Sequence, residues 1–533
     1  MNKINLLDCT LRDGGYVNDW CFGKEVMQAV FEKLTDAGVE FIEIGFLDER
    51  RPFDINRSIQ PNTKCYDEIY KGVSKKQSTV FAMIDYGTCN IDNIGLCKDS
   101  FIDGIRIIFK KPNAGKAVEF AKHLMDKGYK VCLQMVSITS YSDFDVLEFV
   151  NKVNEISPYA VSIVDTYGLL HTRDVMHYFR LLNKNLKEDI ILGYHAHNNF
   201  QLAYANTIEI AQEKVSRELV LDATIYGMGK SAGNTPLELM VMFMNREFGV
   251  RYDINPILEA IDLHILKIYS QKYWGYNLQF YLSASNDCHP QYVQYLLGKK
   301  TIRVKDVNQI IGAIPEENKL DYNEKIIEEL YVNYQNGVDG SYEDNTDDFF
   351  KLLEERDILL LGPGKTVVSH QDNINAYIQE KNPVVIAINF YPQNINCDYI
   401  FISNAKRYDL IILEHKQHNS NTKIVVTNNT ISNKNIYDYV LSYNKLLDEN
   451  GYIRENGVVM FLNGLISHNI TEVVLAGFDG FSPKGLSSYY SEYLELSDDY
   501  EHLLKINANV KERIVKMRER IDISFLTPSL YES

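Results

Sequence analysis

The chain has 533 residues, more than a single hydrophobic core usually serves, so two or more domains are expected. Its formal net charge of -17 argues against nucleic acids and anionic membranes as partners, because both favour clustered Lys and Arg. The 8 cysteines show neither CxxC spacing nor disulfide-like clustering, which is typical of reduced thiols. With no apolar signal segment and no run of membrane-spanning length, the sequence predicts a cytoplasmic protein.

Short β-rich runs alternate with helical patterns through the first 247 residues. Eight strands are predicted, at 4–9, 39–45, 79–84, 104–108, 130–135, 160–164, 191–195 and 219–223. Eight βα units of this length favour a closed (β/α)8 TIM barrel, which we assign to residues 1–270. A doubly wound sheet stays open as the alternative, because periodicity alone does not exclude it.

The remaining chain divides into two further predicted regions. Residues 271–350 read as a helical extension that ends in a polar, acidic linker at 336–348. Residues 351–533 predict a second α/β domain with an open, Rossmann-like sheet. Its predicted strands are 357–361, 384–390, 399–403, 410–413, 424–427, 458–462 and 472–478.

A charged motif directly follows the first predicted strand. The letters TLRDGG place the cation Arg12 beside the carboxylate Asp13, at the end of the strand where barrel enzymes carry their active residues. A solvated charged turn explains this motif alone equally well. The motif HAHNN favours function, because alternate residues on a strand share a face and His195 and His197 then converge. With Asp13 they predict a two-histidine, one-carboxylate metal site.

A glycine-rich segment, GMGKSAGNTPLE at 227–238, follows the eighth predicted strand. By itself it indicates no more than a tight turn or a phosphate-binding loop. At the same barrel mouth, however, Asn234 can add an oxygen ligand or a hydrogen bond to a ligand. We therefore include Asn234 in the predicted metal site.

These motifs resemble those of the DRE-type TIM-barrel metallolyases, which include the HMG-CoA lyases and isopropylmalate synthases. The strand VEFIEIGF at 39–46 and the turn DTYG at 165–168 belong to the same pattern, and HxHNN and AGNTPLE are most similar to the 4-hydroxy-2-oxovalerate aldolases. The resemblance implies metal binding by Asp13, His195 and His197. It also implies that Arg12 stabilises charge beside the keto or enolate oxygen of a 2-oxo acid.

Tyr16 departs from the aldolase pattern. The aldolases carry a histidine three residues after the motif's aspartate, thought to act as acid or base on the aldol hydroxyl. Here Tyr16 takes that role, a water on the metal takes it, or the substrate differs. The segment 274–292 resembles the family's helical region and offers Tyr276 or His289 to the site, although an aromatic packing seam is the favoured interpretation.

Four further polar residues fall on or just beyond predicted strands. For Glu43 and Asp165 we expect a catalytic role, as barrel-mouth acids that orient ligands or Arg12. For Arg106 and Gln134 a structural hydrogen-bonding role is an equal alternative.

A second glycine motif lies in the C-terminal region, between a predicted strand and a helix. Such a loop turns backbone N–H groups toward a phosphate, but GPGKT has neither Walker nor GxGxxG spacing. The patterns LLLGPGKTV, VVIAINF, DYIFISN and VVLAGFDG are similar to Rossmann-like domains of bacterial sialyltransferase and pterin-diphosphokinase-like proteins. This resemblance implies a nucleotide or nucleotide-sugar site at Gly362, Gly364, Lys365 and Asn389. A plain strand-to-helix turn explains the loop equally well.

The sequence therefore predicts an enzyme, a divalent-metal-dependent carbon–carbon lyase using Mn, Mg or Co. Its substrates would be a 2-oxo acid of the pyruvate type and an aldehyde, which the second domain suggests is sugar-derived and used in surface-glycan assembly. An acyl-CoA-dependent Claisen-type synthase or lyase is one alternative, because the same site stabilises either enolate. A nucleotide-sugar-binding or transferase protein with the barrel as scaffold is another. A homo-oligomer is compatible with the sequence.

Overall fold

The computed structural model describes residues 3–337, 342–418, 421–431, 436–448, 454–482, 487–491, 494 and 500–532. The chain forms two compact units, one reaching to Val293 with Lys319–Asp321 added, the other formed by Gln294–Asn318 and the chain from Tyr322 onward. Residues 338–341 of the predicted linker lie outside the described residues. No helix within the described ranges is both long and apolar enough to cross a membrane.

The first unit contains a parallel barrel. Its strands are β1 (Ile4–Asp8), β2 (Phe41–Leu47), β3 (Ile59–Gln60), β4 (Thr79–Asp85), β5 (Gly104–Phe109), β6 (Lys130–Met135), β7 (Ala160–Asp165), β8 (Ile191–Ala196) and β9 (Leu219–Ala223). The order β1-β9-β8-β7-β6-β5-β4-β2 closes by pairing β1 with β2, and the two-residue β3 is attached to β2. The predicted eight-stranded barrel is therefore confirmed, and the doubly wound alternative is wrong for this unit.

Helices surround the barrel strands and continue beyond them. They are α1 (Thr10–Asp13), α2 (Gly15–Asn18), α3 (Lys24–Ala37), α4 (Thr63–Ile69), α5 (Ala114–Asp126), α6 (Asp143–Ile156), α7 (Thr172–Asn185), α8 (Ala203–Gln212), α9 (Leu237–Phe248), α10 (Asn255–Ala260), α11 (Leu266–Tyr269) and α12 (Leu278–Ser285). A π-helical turn, Ile261–Ile265, joins α10 to α11. Buried apolar positions recur every three or four residues along α3 and α7, which explains why these helices pack against the strands.

The barrel interior is apolar at one end and charged at the other. Near the amino ends of the strands it is filled by a small cluster: Leu7, Cys9, Phe41, Phe81, Cys132, Ala160, Ile191 and Val220. Further along the strands the buried interior is polar: Glu43, Arg106, Gln134, Asp222 and His195. The apolar layer closes the barrel, so the polar layer opens only toward the carboxyl ends of the strands.

The described residues of the second unit form a seven-stranded parallel sheet. Its strands are β10 (Ile358–Leu361), β11 (Val384–Ile388), β12 (Tyr399–Ile402), β13 (Lys423–Thr427), β14 (Tyr439–Leu441), β15 (Glu472–Ala476) and β16 (Asp522–Phe525), in the order β14-β13-β12-β11-β10-β15-β16. The strand order reverses between β10 and β15, where an open α/β sheet forms its ligand crevice. The predicted open sheet is confirmed.

The helices from residue 290 onward are mostly short. They are α13 (Pro290–Gly298), α14 (Val304–Gly312), α15 (Glu324–Gln335), α16 (Thr346–Lys351), α17 (Thr366–Ser369), α18 (Gln371–Lys381), α19 (Ala405–His418), α20 (Tyr443–Leu446), α21 (Gly457–Ser467) and α22 (Tyr500–Met517).

Two strand predictions in the second unit are wrong. Residues 410–413 lie in α19 and residues 458–462 lie in α21. A short apolar run does not distinguish a buried strand from a buried helix, and α21 is buried along most of its length. Asn456 begins α21 by accepting hydrogen bonds from the backbone N–H groups of Val458 and Val459. The short strands β14 and β16 were not predicted.

Candidate metal centre

Three predicted metal ligands meet at the carboxyl ends of the barrel strands. Asp13 ends α1 just after β1, His195 lies on β8, and His197 follows the end of β8. All three side chains are buried. Asp13 Oδ2 lies 3.4 Å from His195 Nε2, and Asp13 Oδ1 lies 3.5 Å from His197 Nε2. These atoms are close enough to bind one ion together.

The two imidazoles present nitrogen atoms that the protein leaves unsatisfied. His195 Nε2 and His197 Nε2 are buried without a hydrogen-bond partner among the described residues. Buried polar atoms are nearly always paired in native structures, so two such nitrogens facing one carboxylate need an explanation. A divalent metal ion fits this donor set, because one carboxylate and two neutral imidazoles are typical ligands of such ions.

Asn234 lies beside this group. It forms an isolated antiparallel bridge with His197, and both its Oδ1 and Nδ2 atoms are buried without a hydrogen-bond partner in the described chain. A Cβ atom at Gly229 would lie 2.7 Å from Asn234 Nδ2, so a larger residue there would displace the Asn234 amide. Asn234 is thus next to His197 across this backbone bridge, and its role as a fourth ligand stays a prediction.

The far sides of both histidine rings are held by the protein. His195 Nδ1 lies 2.9 Å from Asp222 Oδ2, and His197 Nδ1 lies 3.1 Å from the carbonyl oxygen of Asp165. Contacts of this kind orient metal-binding histidines and select the tautomer with Nε2 available. Cys9, His195 and Asp222 form a second group with ligand geometry, but burial raises the pKa of the Cys9 thiol well above its usual range, which disfavours the thiolate.

Arg12 is buried between two carboxylates. Its Nε donates to Glu43 Oε2 at 2.7 Å, Nη1 donates to Asp13, and its backbone oxygen accepts a hydrogen bond from the Trp20 indole at 2.8 Å. Arg106 also donates to Glu43, at 2.9 Å, and to a further carboxylate at Asp222. Glu43 thus acts as the anchor of both guanidinium groups.

The buried charges of this network do not balance. Three carboxylates, from Asp13, Glu43 and Asp222, face the two guanidinium groups of Arg12 and Arg106, which leaves one negative charge in excess. An uncompensated buried charge is costly. The excess therefore favours an added positive charge in the site, supplied by a bound cation or by a proton on His195.

The protonation states of Asp13 and His197 suit a metal, whereas that of His195 does so less well. Burial alone would raise the pKa of Asp13, but Arg12 and the histidines hold it well below its usual range. Burial is also the largest influence on His197 and lowers its pKa, which favours the neutral ring that a metal requires. Burial opposes protonation of His195 as well, but the adjacent carboxylates of Asp13 and Asp222 outweigh it and raise its pKa, so a metal has to displace a proton that this ring holds more tightly than usual.

Two other predicted catalytic residues, Tyr16 and Asp165, have surroundings of different kinds. Tyr16 is on α2, where its half-exposed ring packs edge-on against Trp20 at 4.7 Å. Asp165 turns its carboxylate away, because its two oxygens accept the backbone N–H groups of Leu169 and Leu170 at 2.9 and 3.1 Å. Burial raises the pKa of Asp165 to about 6. The Asp165 carboxylate therefore braces the turn.

Sequence reasoning missed two residues of the site. Asp222 lies in the apolar strand LVLDA, and only its position next to β8 reveals the contact with His195. Lys230 donates its backbone N–H to Asp13 Oδ1 at 2.8 Å. Of the two residues suggested from the helical region, Tyr276 is exposed, whereas the His289 ring lies 6.4 Å from that of Tyr167.

In the second unit, a carboxylate already occupies the start of the helix after the glycine loop. Asp479 accepts hydrogen bonds from Thr366, through the backbone N–H at 2.9 Å and through the hydroxyl. The Asn389 side chain accepts the backbone N–H groups of Ser403 and Asn404, at 2.8 and 3.0 Å, and so braces the loop after β12. Gly364 and Asn389 line a small cavity of about 110 Å³, whereas Gly362 and Lys365 are absent from its described lining.

A larger cavity of about 660 Å³ lies in the same unit. It shares Asn389, Arg407, Asn456, Gly457, Phe481 and Tyr489 with the small one. Its volume is in the range of small-molecule sites.

Comparisons with known proteins concern the barrel. The HMGL-like family matches residues 3–266. Over 272 residues the chain is 26% identical to the oxaloacetate decarboxylase of Mycobacterium tuberculosis, covering 50% of this chain and 78% of that protein. It is 27% identical over 271 residues to the 4-hydroxy-2-oxovalerate aldolase of Shewanella pealeana, and the match covers 49% of this chain and 76% of that protein. The solved HMG-CoA lyase of Brucella melitensis is similar with a TM-score of 0.42 and 14% identity, covering 51% of this chain and 100% of that one. Residues 3–266 of this chain therefore belong to the HMGL-like family of lyase-type enzymes.

Proposed function

We propose that the barrel is a divalent-metal-dependent aldolase that makes or cleaves a carbon–carbon bond between a pyruvate-type enolate and an aldehyde. The observation that carries this proposal is the convergence of Asp13, His195 and His197, with two buried imidazole nitrogens left unsatisfied beside Arg12. Similarity to 4-hydroxy-2-oxovalerate aldolases and to an oxaloacetate decarboxylase supports the class of substrate, because both names denote 2-oxo acids.

In this proposal Asp13, His195, His197 and Asn234 hold the metal. A divalent ion supplies Lewis-acid polarisation of the keto oxygen of a 2-oxo acid. Mn, Mg or Co suits the mixed oxygen and nitrogen donors and an open site better than a structural Zn.

Arg12 has the position and the rigidity to stabilise developing negative charge. Its guanidinium is held by Glu43 on one side and Asp13 on the other, so it need not reorganise during the reaction. Trp20 and Phe46 pack around it, with the Arg12 guanidinium carbon 5.8 Å from the Phe46 ring centre. A preorganised guanidinium in a site shielded from water stabilises an enolate oxygen more strongly than one in bulk water.

The acid or base on the aldol hydroxyl is assigned to Tyr16. Tyr16 follows the metal-binding Asp13 by three residues, and its ring lies beside the ammonium of Lys230, 5.4 Å away. A phenol hydroxyl is able to give and accept a proton. A Tyr16→Phe variant that keeps its metal and its turnover would move this role to water or to another side chain.

The proposal is tested by metal-dependent pyruvate release from 4-hydroxy-2-oxo acids, and by pyruvate consumption with a panel of aldehydes that includes sugar-derived ones. Oxaloacetate is included because a relative bears the name of its decarboxylase. Acetyl-CoA with thiol detection tests the Claisen alternative. Pyruvate chemistry that requires metal and is lost in His197→Ala supports the aldolase. Thiol release without pyruvate chemistry would replace the aldolase by the Claisen enzyme.

For the second unit we propose a nucleotide or nucleotide-linked sugar as ligand, in the cleft formed by the two cavities that share Asn389 and Arg407. The cleft lies by the carboxyl end of β11, near the point where the strand order reverses. Lys300, Arg407 and Arg454 line the larger cavity and offer cationic side chains to a phosphate. Tyr443 and Tyr489 offer aromatic surface for a base.

Four carboxylates line the two cavities, from Glu324, Glu328, Glu455 and Asp479, and two of them have partners that bear on the charge of the cleft. Glu455 accepts hydrogen bonds from the hydroxyls of Tyr331 and Tyr443, both at 2.7 Å, and Glu328 pairs with Lys299 at 3.0 Å. Lys299 thus neutralises Glu328, whereas the hydroxyls orient the Glu455 carboxylate without cancelling its charge.

A further inference from the structure

Lys230 extends from the rim of the metal centre. It follows Gly229 in the loop after β9, and its backbone N–H donates to Asp13 Oδ1 at 2.8 Å. Its side chain runs between two aromatic rings. The ammonium nitrogen lies 5.4 Å from the ring centre of Tyr16 and 5.8 Å from that of Tyr167. The backbone of Lys230 thus orients the predicted metal ligand Asp13, and its side chain lies at the mouth of the barrel.

Lys230 differs from the other cations at this mouth. Arg50, which follows β2, pairs with Asp48 at 2.6 Å, and Lys110, which follows β5, pairs with Asp321. The Lys230 ammonium makes neither an ion pair nor a hydrogen bond within the part of the chain that the structure describes. The carboxylates that act on it from a distance are Asp13 and Asp85, and the cations are Arg12 and Lys110.

The location separates this ammonium from the group that handles the 2-oxo acid. Arg12 is buried beside Asp13 and Glu43, deeper than the half-exposed ring of Tyr16. Lys230 lies at the level of Tyr16, next to the residue assigned to the aldol hydroxyl. A charged group of the second substrate would therefore reach Lys230 while its aldehyde carbon faces the metal centre.

We propose that Lys230 forms an anion subsite, with Tyr16 and Tyr167 as its walls, and that the acceptor is an aldehyde carrying a carboxylate or a phosphate. This inference rests on the proposed aldolase function and specifies its substrate class. A compact ammonium flanked by aromatic faces is partly shielded from water, which strengthens its attraction for an oxyanion. Carboxylate and phosphate share this chemistry, and both belong in the test.

The test compares matched pairs of acceptors with pyruvate: succinic semialdehyde against butyraldehyde, and glyceraldehyde 3-phosphate against glyceraldehyde. We expect the wild type to prefer the charged member of at least one pair. Lys230→Met should lower the ratio of kcat/KM for charged over uncharged acceptors about 10- to 100-fold, mainly through KM, because one charge-assisted contact is lost. Lys230→Arg should restore most of this ratio.

Lys110→Met is the matched control, since Lys110 is a mouth lysine already paired with Asp321, and we expect its ratio to stay at the wild-type value. Metal content is measured in every variant. A Lys230→Met enzyme with metal bound and the ratio unchanged would overturn the subsite. An equal loss for charged and uncharged acceptors would also overturn it, because Lys230 would then serve the common chemistry.

Equilibrium binding separates this inference from the proposed function. Titration of the Mn-loaded wild type and Lys230→Met with succinic semialdehyde and with inorganic phosphate requires no turnover. Anion binding that is weaker in Lys230→Met but not in Lys110→Met supports the subsite even where no aldol product forms. Equal binding by all three proteins would reject it. Pyruvate chemistry with uncharged aldehydes alone would retain the aldolase and reject the subsite.

Discussion

Asp222 holds His195 from behind, with 2.9 Å between Asp222 Oδ2 and His195 Nδ1. The opposite nitrogen of the same ring faces Asp13. Asp222 also receives a hydrogen bond from Arg106, so one carboxylate links the ring to the guanidinium network inside the barrel. The ring is thereby held with Nε2 toward the metal centre.

We predict that Asp222→Asn lowers metal affinity by about 10- to 100-fold, the usual effect of removing a partner that orients a ligating histidine. Competition with a chelator measures this change. Asp143→Asn is the control, because Asp143 pairs with the exposed His177 at 2.7 Å far outside the barrel interior. Equal affinity in Asp222→Asn and wild type would show that the ring is oriented by packing alone.

Removing a ligand should have a larger effect. We predict that His195→Ala loses most of the bound ion, from about one per chain in the wild type, because Asp13, Asn234 and a single imidazole hold a divalent ion poorly. Elemental analysis after loading with excess Mn measures the loss. His177→Ala, a surface histidine, should retain the ion. Full retention in His195→Ala would mean that the ion binds elsewhere.

Arg12 allows binding and chemistry to be separated. We predict that Arg12→Lys retains the metal but lowers kcat by about 100- to 1000-fold, because an ammonium cannot contact Glu43, Asp13 and an enolate oxygen in one plane. Steady-state pyruvate kinetics and metal analysis provide the two measurements. Arg57→Lys, a partly exposed pair with Asp19, serves as control. A near-normal kcat in Arg12→Lys would show that Arg12 has a structural role and does not stabilise the enolate.

The barrel and the three converging ligands could be predicted because their signals are local. Each strand is a short, mostly apolar run, and the eight predicted strands agree with the structure to within two residues at either end. Asp13, His195 and His197 stand at strand ends, and parallel strands bring those ends together. Once the barrel is predicted correctly, the convergence of these three side chains can therefore be predicted as well.

Asp222 and Lys230 could not be predicted in this way. An aspartate inside an apolar strand forms no motif, and its contact depends on β9 lying beside β8, where Tyr194 pairs with Leu221. Lys230 reads as an ordinary loop lysine until the rings of Tyr16 and Tyr167 are placed around it. In the second unit α21 was misassigned because an apolar helix buried on most sides loses its periodicity.

The second unit gives two competing locations for an anionic ligand. The glycine loop predicts a contact with Lys365, whereas the cleft predicts a contact with Lys300, which lines the larger cavity. The larger cavity is the better location, because Lys300 lines it whereas Lys365 lines neither cavity, and Asp479 already accepts the backbone N–H of Thr366 at the loop. A bulky residue at Gly364 would not discriminate between them, since its Cβ would lie 2.4 Å from the Asp479 carboxyl carbon.

We predict that the full chain binds at least one of CMP, UDP, GDP and ATP, and that Lys300→Met weakens this binding at least about fivefold, as expected when one phosphate contact of about 1 kcal/mol is lost. Lys365→Met should bind as the wild type does. Calorimetry measures the nucleotide affinity of the wild type and of both variants. Pyruvate chemistry should be unchanged in each variant, because neither residue belongs to the barrel unit. Loss of binding in Lys365→Met alone would return the site to the glycine loop. Absence of binding to all four nucleotides by the wild type would instead favour a docking or oligomerisation module, because the cleft would then lack the ligand that its cationic side chains and aromatic lining suggest.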